Sequence, residues 1–93
     1  MKSKVIVPPP ISRGIRTFGL SREVLLELLV HIHEGTPRDY ASSCHRRMKN
    51  DRYYQYRISV MEENGREHLF LLAVDDTTSP DHLRIVNIGY AIL

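Results

Sequence analysis

Apolar and polar positions change period along this chain, and the changes mark its elements. Residues 4–7 are a short β-branched run closed by Pro8, Pro9 and Pro10, which predicts a first strand. Prolines are tolerated in the first turn of a helix, so the same three can launch one. Ile11, Ile15 and Phe18 then recur at i, i+4 and i+7 on one helical face, with Gly14 weakening the helix and Gly19 ending it. Ser21 is a good N-cap, Leu20 and Leu25 occupy the staple positions around it, and Glu23 suits the positive helix end. Val24, Leu25, Leu28, Leu29 and Ile32 form a wide apolar stripe. Gly35 supplies a stop and Pro37 prevents resumption, so an amphipathic helix is expected over 22–34.

From residue 53 the period becomes two. Tyr54, Tyr56, Ile58 and Val60 point one way, toward the helix; Tyr53, Gln55, Arg57 and Ser59 point the other. Asn64-Gly65 is a hairpin turn signal. Residues 68–74 form a nearly continuous apolar strand, residues 75–81 a polar loop with Pro80, and residues 83–92 a last strand. The pattern predicts a single α+β domain over 1–93, ordered β-α-α-β-β-β, with a helix hairpin (10–34) packed on a sheet. Leu25, Leu28, Leu29, Ile32, Tyr56, Ile58, Val60, Phe70 and Leu72 are the expected core.

Composition narrows the class. Hydrophobic residues are 42% and charged residues 26%, as in a globular chain. No apolar run approaches a membrane span, and the three residues before the prolines are too few for a signal peptide. One cysteine, Cys44, makes no internal disulfide. A cytoplasmic protein is expected.

The net charge of +2 is small, but it is unevenly spread. Between residues 38 and 57 stand Arg38, Arg46, Arg47, Lys49, Arg52 and Arg57 against only Asp39 and Asp51. A basic segment leading into an aromatic strand is the footprint of a nucleic-acid surface, or else a solvated loop before an ordinary strand. Arg57 is the best placed cation, since it points away from the core and is anchored in a strand; the plainer role for it is a salt bridge to Glu67. Arg84 sits in the last strand and can share that surface. Two of the tyrosines are needed for the core, leaving Tyr53 as the base-stacking candidate. Other constellations are weaker. His31 and His33 face different directions on a helix and do not share a metal. Cys44 and His45 are adjacent, which seldom makes a nucleophile pair. Asp75, Asp76 and Asp81 read as turn residues. No metal or cofactor is expected.

The first strand with its prolines, the helix pair, the basic segment, Tyr54-Gln55-Tyr56-Arg57-Ile58, the Asn64-Gly65 hairpin and the ending Arg84-Ile85-Val86-Asn87-Ile88-Gly89-Tyr90 together resemble the RelE/ParE superfamily of bacterial toxins. The resemblance covers nearly the whole chain, although no single motif in it is specific. It implies a curved antiparallel sheet with the helices on one face, and a cognate antitoxin as partner. RelE-like members cut ribosome-bound mRNA without a metal; ParE-like members inhibit DNA gyrase instead. For RelE-type chemistry the family pattern points to Arg57, Arg84 and Tyr90 as catalytic residues, with His45, Arg46, Arg47, Lys49, Arg52 and Tyr53 contacting RNA. His45 is an alternative acid or base. Only three residues follow Tyr90, where family nucleases usually carry more, and this departure weighs toward the gyrase inhibitor or a non-cutting relative. The basic segment beside Arg57 weighs more, so a RelE-type mRNA endonuclease is the leading expectation and the other two are the alternative. An exposed edge strand would also offer a route to self-association into a homo-oligomer.

Overall fold

The computed structural model describes residues 4–41, 46–47 and 53–93. Its order is β1 (Lys4–Ile6), α1 (Pro9–Thr17), α2 (Arg22–Val30), a π-turn (His31–Gly35), α3 (Thr36–Ala41), β2 (Arg46–Arg47), β3 (Tyr53–Met61), β4 (Glu67–Asp75) and β5 (His82–Ile92). The expected α+β class holds, with helices on one side of a five-stranded sheet ordered β1-β5-β4-β3-β2.

The sheet is mixed, which corrects the expectation of an antiparallel one. β3, β4 and β5 form the antiparallel meander, but β1 runs parallel to β5, with Lys4 opposite His82 and Ile6 opposite Arg84. β5 would otherwise expose a row of unpaired backbone groups at that edge, and β1 covers part of it. The β3–β4 hairpin closes through Gly65, whose φ of +86° a residue with a side chain rarely adopts. Between Ala73 and Val74 the β4–β5 register shifts, leaving Val86 as an extra residue on β5.

The helical region runs further than its sequence suggests. Ser21 caps α2, accepting from the Val24 N–H at 3.3 Å. Gly35 and Pro37 do not end it; the chain passes through the π-turn directly into α3. The Thr36 N–H reaches back five residues to the His31 carbonyl. That wider turn displaces the carbonyls that a proline ring at 37 would strike in a regular helix, so Pro37 fits just beyond it. Gly35 serves a close approach instead of a stop. A Cβ there would lie 2.8 Å from the Tyr56 hydroxyl.

The core lies between the helices and one sheet face. Ile11 and Ile15 of α1, Val24 and Leu28 of α2 and Ile32 of the π-turn meet Tyr54, Tyr56, Ile58, Val60, Phe70, Leu72, Val74, Leu83 and Ile85. Leu25 and Leu29 are only partly buried, at the flank of the stripe whose centre is Val24, Leu28 and Ile32.

Tyr56 ties α3 to this core. Its hydroxyl donates to Asp39 Oδ2 at 2.7 Å. Burial, followed by the bond to Asp39 and its negative charge, pushes the Tyr56 phenol up to about 12 from 10.0. The Thr36 hydroxyl and the Arg38 cation work the other way. The folded state therefore favours the neutral phenol. Its stabilisation is fully present below pH 10 and is lost as pH rises from 10 through about 12. Tyr56→Phe should cost about 1–2 kcal/mol at neutral pH, since Asp39 is partly exposed and rehydrates. It should also flatten the alkaline limb of a stability–pH curve measured by urea unfolding. An unchanged limb would remove Tyr56 as its cause.

Candidate nucleic-acid interface

Strand alternation builds a second face on the sheet, away from the helices. On β3 it carries Gln55, Arg57, Ser59 and Met61, all exposed. On β4 it carries Leu69, Leu71 and Ala73, partly exposed, and on β5 Arg84, Asn87, Gly89 and Ala91, all exposed. Gln55, Leu71, Ala73, Asn87 and Gly89 line a shallow depression of about 190 Å³ at its centre. Glu67 is engaged by Ser59, whose hydroxyl donates to Oε1 at 2.7 Å. Among the described residues Arg57 and Arg84 have no acidic side chain in ion-pair contact.

Arg57 and Arg84 share this face but not one place on it. Arg57 lies opposite Leu71, whereas Arg84 lies opposite Asp75, itself opposite Tyr53. Four residues along the strand and two strands across separate their backbones by about 16 Å. The two cations therefore suit separate phosphates better than a single one. Tyr53 is half-buried beside Asp75 in register. β2 places Arg46 and Arg47 of the basic segment beside β3, pairing Arg46 with Gln55 and Arg47 with Tyr54. His45, Lys49 and Arg52, along with Cys44, lie outside the described residues.

Tyr90 stands on the other side. It packs on Phe18 and Phe70, each with ring centroids 5.0 Å away, on the helix-covered face. Its hydroxyl is 2.6 Å from Nδ1 of the buried His68, and His68 Nε2 bonds the Glu62 carboxylate. An ionised carboxylate only accepts, so Nε2 carries a proton. In the neutral ring Nδ1 then accepts the Tyr90 O–H. A carboxylate–imidazole–phenol chain of this kind can hold or pass a proton. The sheet separates it from Arg57 and Arg84, so the three residues expected to act together are not brought together. Sequence reasoning misses His68 and Glu62. The available signal is a histidine in the inward phase of β4, in step with Phe70, Leu72 and Val74, where a polar ring needs partners.

The remaining candidates are structural. Asp75 Oδ1 accepts from the Thr77 N–H at 2.8 Å and the Thr77 hydroxyl at 2.7 Å, and Oδ2 accepts from the Thr78 hydroxyl at 2.5 Å, which builds the turn before β5. No group of three or more His, Cys, Asp or Glu among the described residues is placed to hold a metal ion. No described helix is long and apolar enough to cross a membrane.

No family model matches this chain, and neither a curated protein nor a solved structure matches it.

Proposed function

We propose that this chain is a cytoplasmic toxin of the RelE/ParE type that engages ribosome-bound RNA through the helix-free face of its sheet. One observation carries the reading. Exposed Arg57 and Arg84 project from rigid strands on that face, and a two-arginine strand pairs alongside it. Guanidinium groups held in place recognise phosphate, and their spacing suits successive contacts along a strand. A cognate antitoxin would neutralise the same face.

Whether the toxin cuts is a separate matter. RNA transesterification requires a group that accepts the 2′-hydroxyl proton within reach of the phosphate that the cations hold. Tyr90, the family-implied proton carrier, lies across the sheet from Arg57 and Arg84. That placement favours the second reading, a relative that binds its target without cleaving it or blocks gyrase.

Induced expression followed by primer extension on a translated message separates these readings. Translation-dependent cuts that vanish in Arg57→Ala support the nuclease. Growth arrest with intact messages and a DNA-damage response supports gyrase inhibition, and no growth effect from the folded protein would end the toxin reading. In RNA binding, Arg46→Ala with Arg47→Ala should flatten the salt dependence by about 0.7 per lost phosphate contact. An unchanged slope would take β2 out of the interface.

A further inference from the structure

A groove opens at the end of the sheet, between α2 and the start of the β3–β4 turn, beyond the stretch of β3 that carries Arg57. Its volume is about 380 Å³, and it is lined by Glu23, Val24, Leu26 and Glu27 of α2 and by Val60, Met61, Glu62 and Glu63. That volume is within the range of about 300–1,000 Å³ usual for ligand clefts. Val24 and Val60 form a buried apolar floor. Leu26 and Met61 are left 52% and 59% exposed at its sides, although both are large hydrophobics. Val30, one turn beyond Leu26 on α2, is also 53% exposed and extends the apolar strip.

The rim has a single sign. Among the described residues all four charged side chains that line the groove are glutamates, and no Lys, Arg or His lines it. Among the described residues Glu23, Glu27 and Glu63 meet no basic side chain. Glu62 is the exception in a useful way, because the buried His68 grips one of its oxygens and so holds the carboxylate at the groove wall. The exposed apolar strip asks for apolar cover, and the glutamates ask for positive charge around it. A carboxylate rim repels a nucleic acid or an acidic segment.

We propose that this groove docks a basic amphipathic peptide segment of a partner protein, one with apolar side chains seated between Leu26 and Met61 and Lys or Arg flanking them. Neither Arg57 nor Arg84 lines the groove, so one chain can hold an anionic partner at its arginines and a cationic segment at its α2 end. Helix-in-groove docking reads anchors one turn apart, and Leu26 and Val30 present the matching spacing.

The probe is a ten-residue peptide with Leu at i and i+4 and Lys elsewhere, titrated into the ¹⁵N-labelled full chain. Shifts confined to the amides of residues 23–30 and 60–63 are expected. Glu23→Lys with Glu27→Lys should weaken binding at least about tenfold, as should Leu26→Ser. All three positions are exposed, and a cooperative melt in each variant, only slightly lowered where Glu23 leaves the first turn of α2, confirms that the fold is intact. An all-Lys peptide of equal length should bind much more weakly. Equal binding of that peptide, or shifts centred on Arg57, Leu71 and Arg84 of the open sheet face, would overturn the proposal. So would concentration-dependent shifts at the groove without peptide, which would make a second copy of this chain the occupant. RNA binding by the double glutamate variant should be retained, so failure here and failure of the toxin reading are distinguishable.

Discussion

Leu28→Ala should destabilise the protein by about 2–5 kcal/mol and lower its melting temperature by more than about 10 °C. Leu28 is fully buried at the centre of the α2 stripe, between Val24 and Ile32 and over the inner face of the sheet. Removing its isobutyl group leaves a cavity walled by side chains from both layers. A domain of this size has roughly 5–14 kcal/mol to lose, so one leucine is a large share. Leu29→Ala is the control. It sits beside Leu28 in sequence but at the flank of the stripe, partly exposed, and should cost well under half as much. Equal losses at both positions in denaturant melts would mean that α2 is rotated about its axis, with Leu29 as well as Leu28 turned to the sheet.

The contrast between Leu28 and Leu29 also measures how far the sequence can be read. Period-two alternation correctly separates Tyr54, Tyr56, Ile58 and Val60 from Gln55, Arg57 and Ser59, because a strand offers only two directions. On α2 the apolar set Val24, Leu25, Leu28, Leu29 and Ile32 spans a wide arc, and only packing decides which part of it meets the sheet. Gly35 and Pro37 look like helix punctuation, and a three-dimensional event overrides them. The Tyr56 ring, brought in from β3, needs the space that Gly35 leaves, and the π-turn accommodates Pro37.

The expected catalytic trio does not assemble, for a comparable reason. Arg84 and Tyr90 have the same parity, so an uninterrupted strand would point them to one face. The extra residue at Val86 reverses the phase, placing Arg84 with Asn87 and Gly89 on the open side and Tyr90 with Ile88 on the helix side. Nothing local to β5 announces that bulge. It is a property of the pairing with β4, and it decides which residues can share a substrate.

Of the single substitutions outside the apolar core, His68→Ala should have the largest effect, a loss of about 3 kcal/mol or more. His68 is 4% exposed in the central strand, and its ring joins three parts of the fold. Nε2 holds Glu62 just beyond the end of β3, and Nδ1 holds Tyr90 on β5. The ring also lies parallel to that of Tyr90, 5.7 Å away with 4° between planes, and Tyr90 in turn packs on Phe18 after α1. Alanine removes the ring and both bonds, leaving the phenol without its acceptor. His68→Phe separates the two contributions. It keeps an aromatic ring of similar size against Tyr90 and deletes only the bonds, so it should cost less, about 1–3 kcal/mol. A double-mutant cycle with Tyr90→Phe checks the mechanism. If the His68–Tyr90 bond matters, His68→Phe should cost measurably less in the Tyr90→Phe background than in the parent. Strict additivity would mean that the His68–Tyr90 bond contributes nothing, leaving the bond to Glu62 as the polar contribution of His68. The same cycle bears on function, because it reports how much of the Tyr90 hydroxyl is already committed to His68 before any substrate arrives.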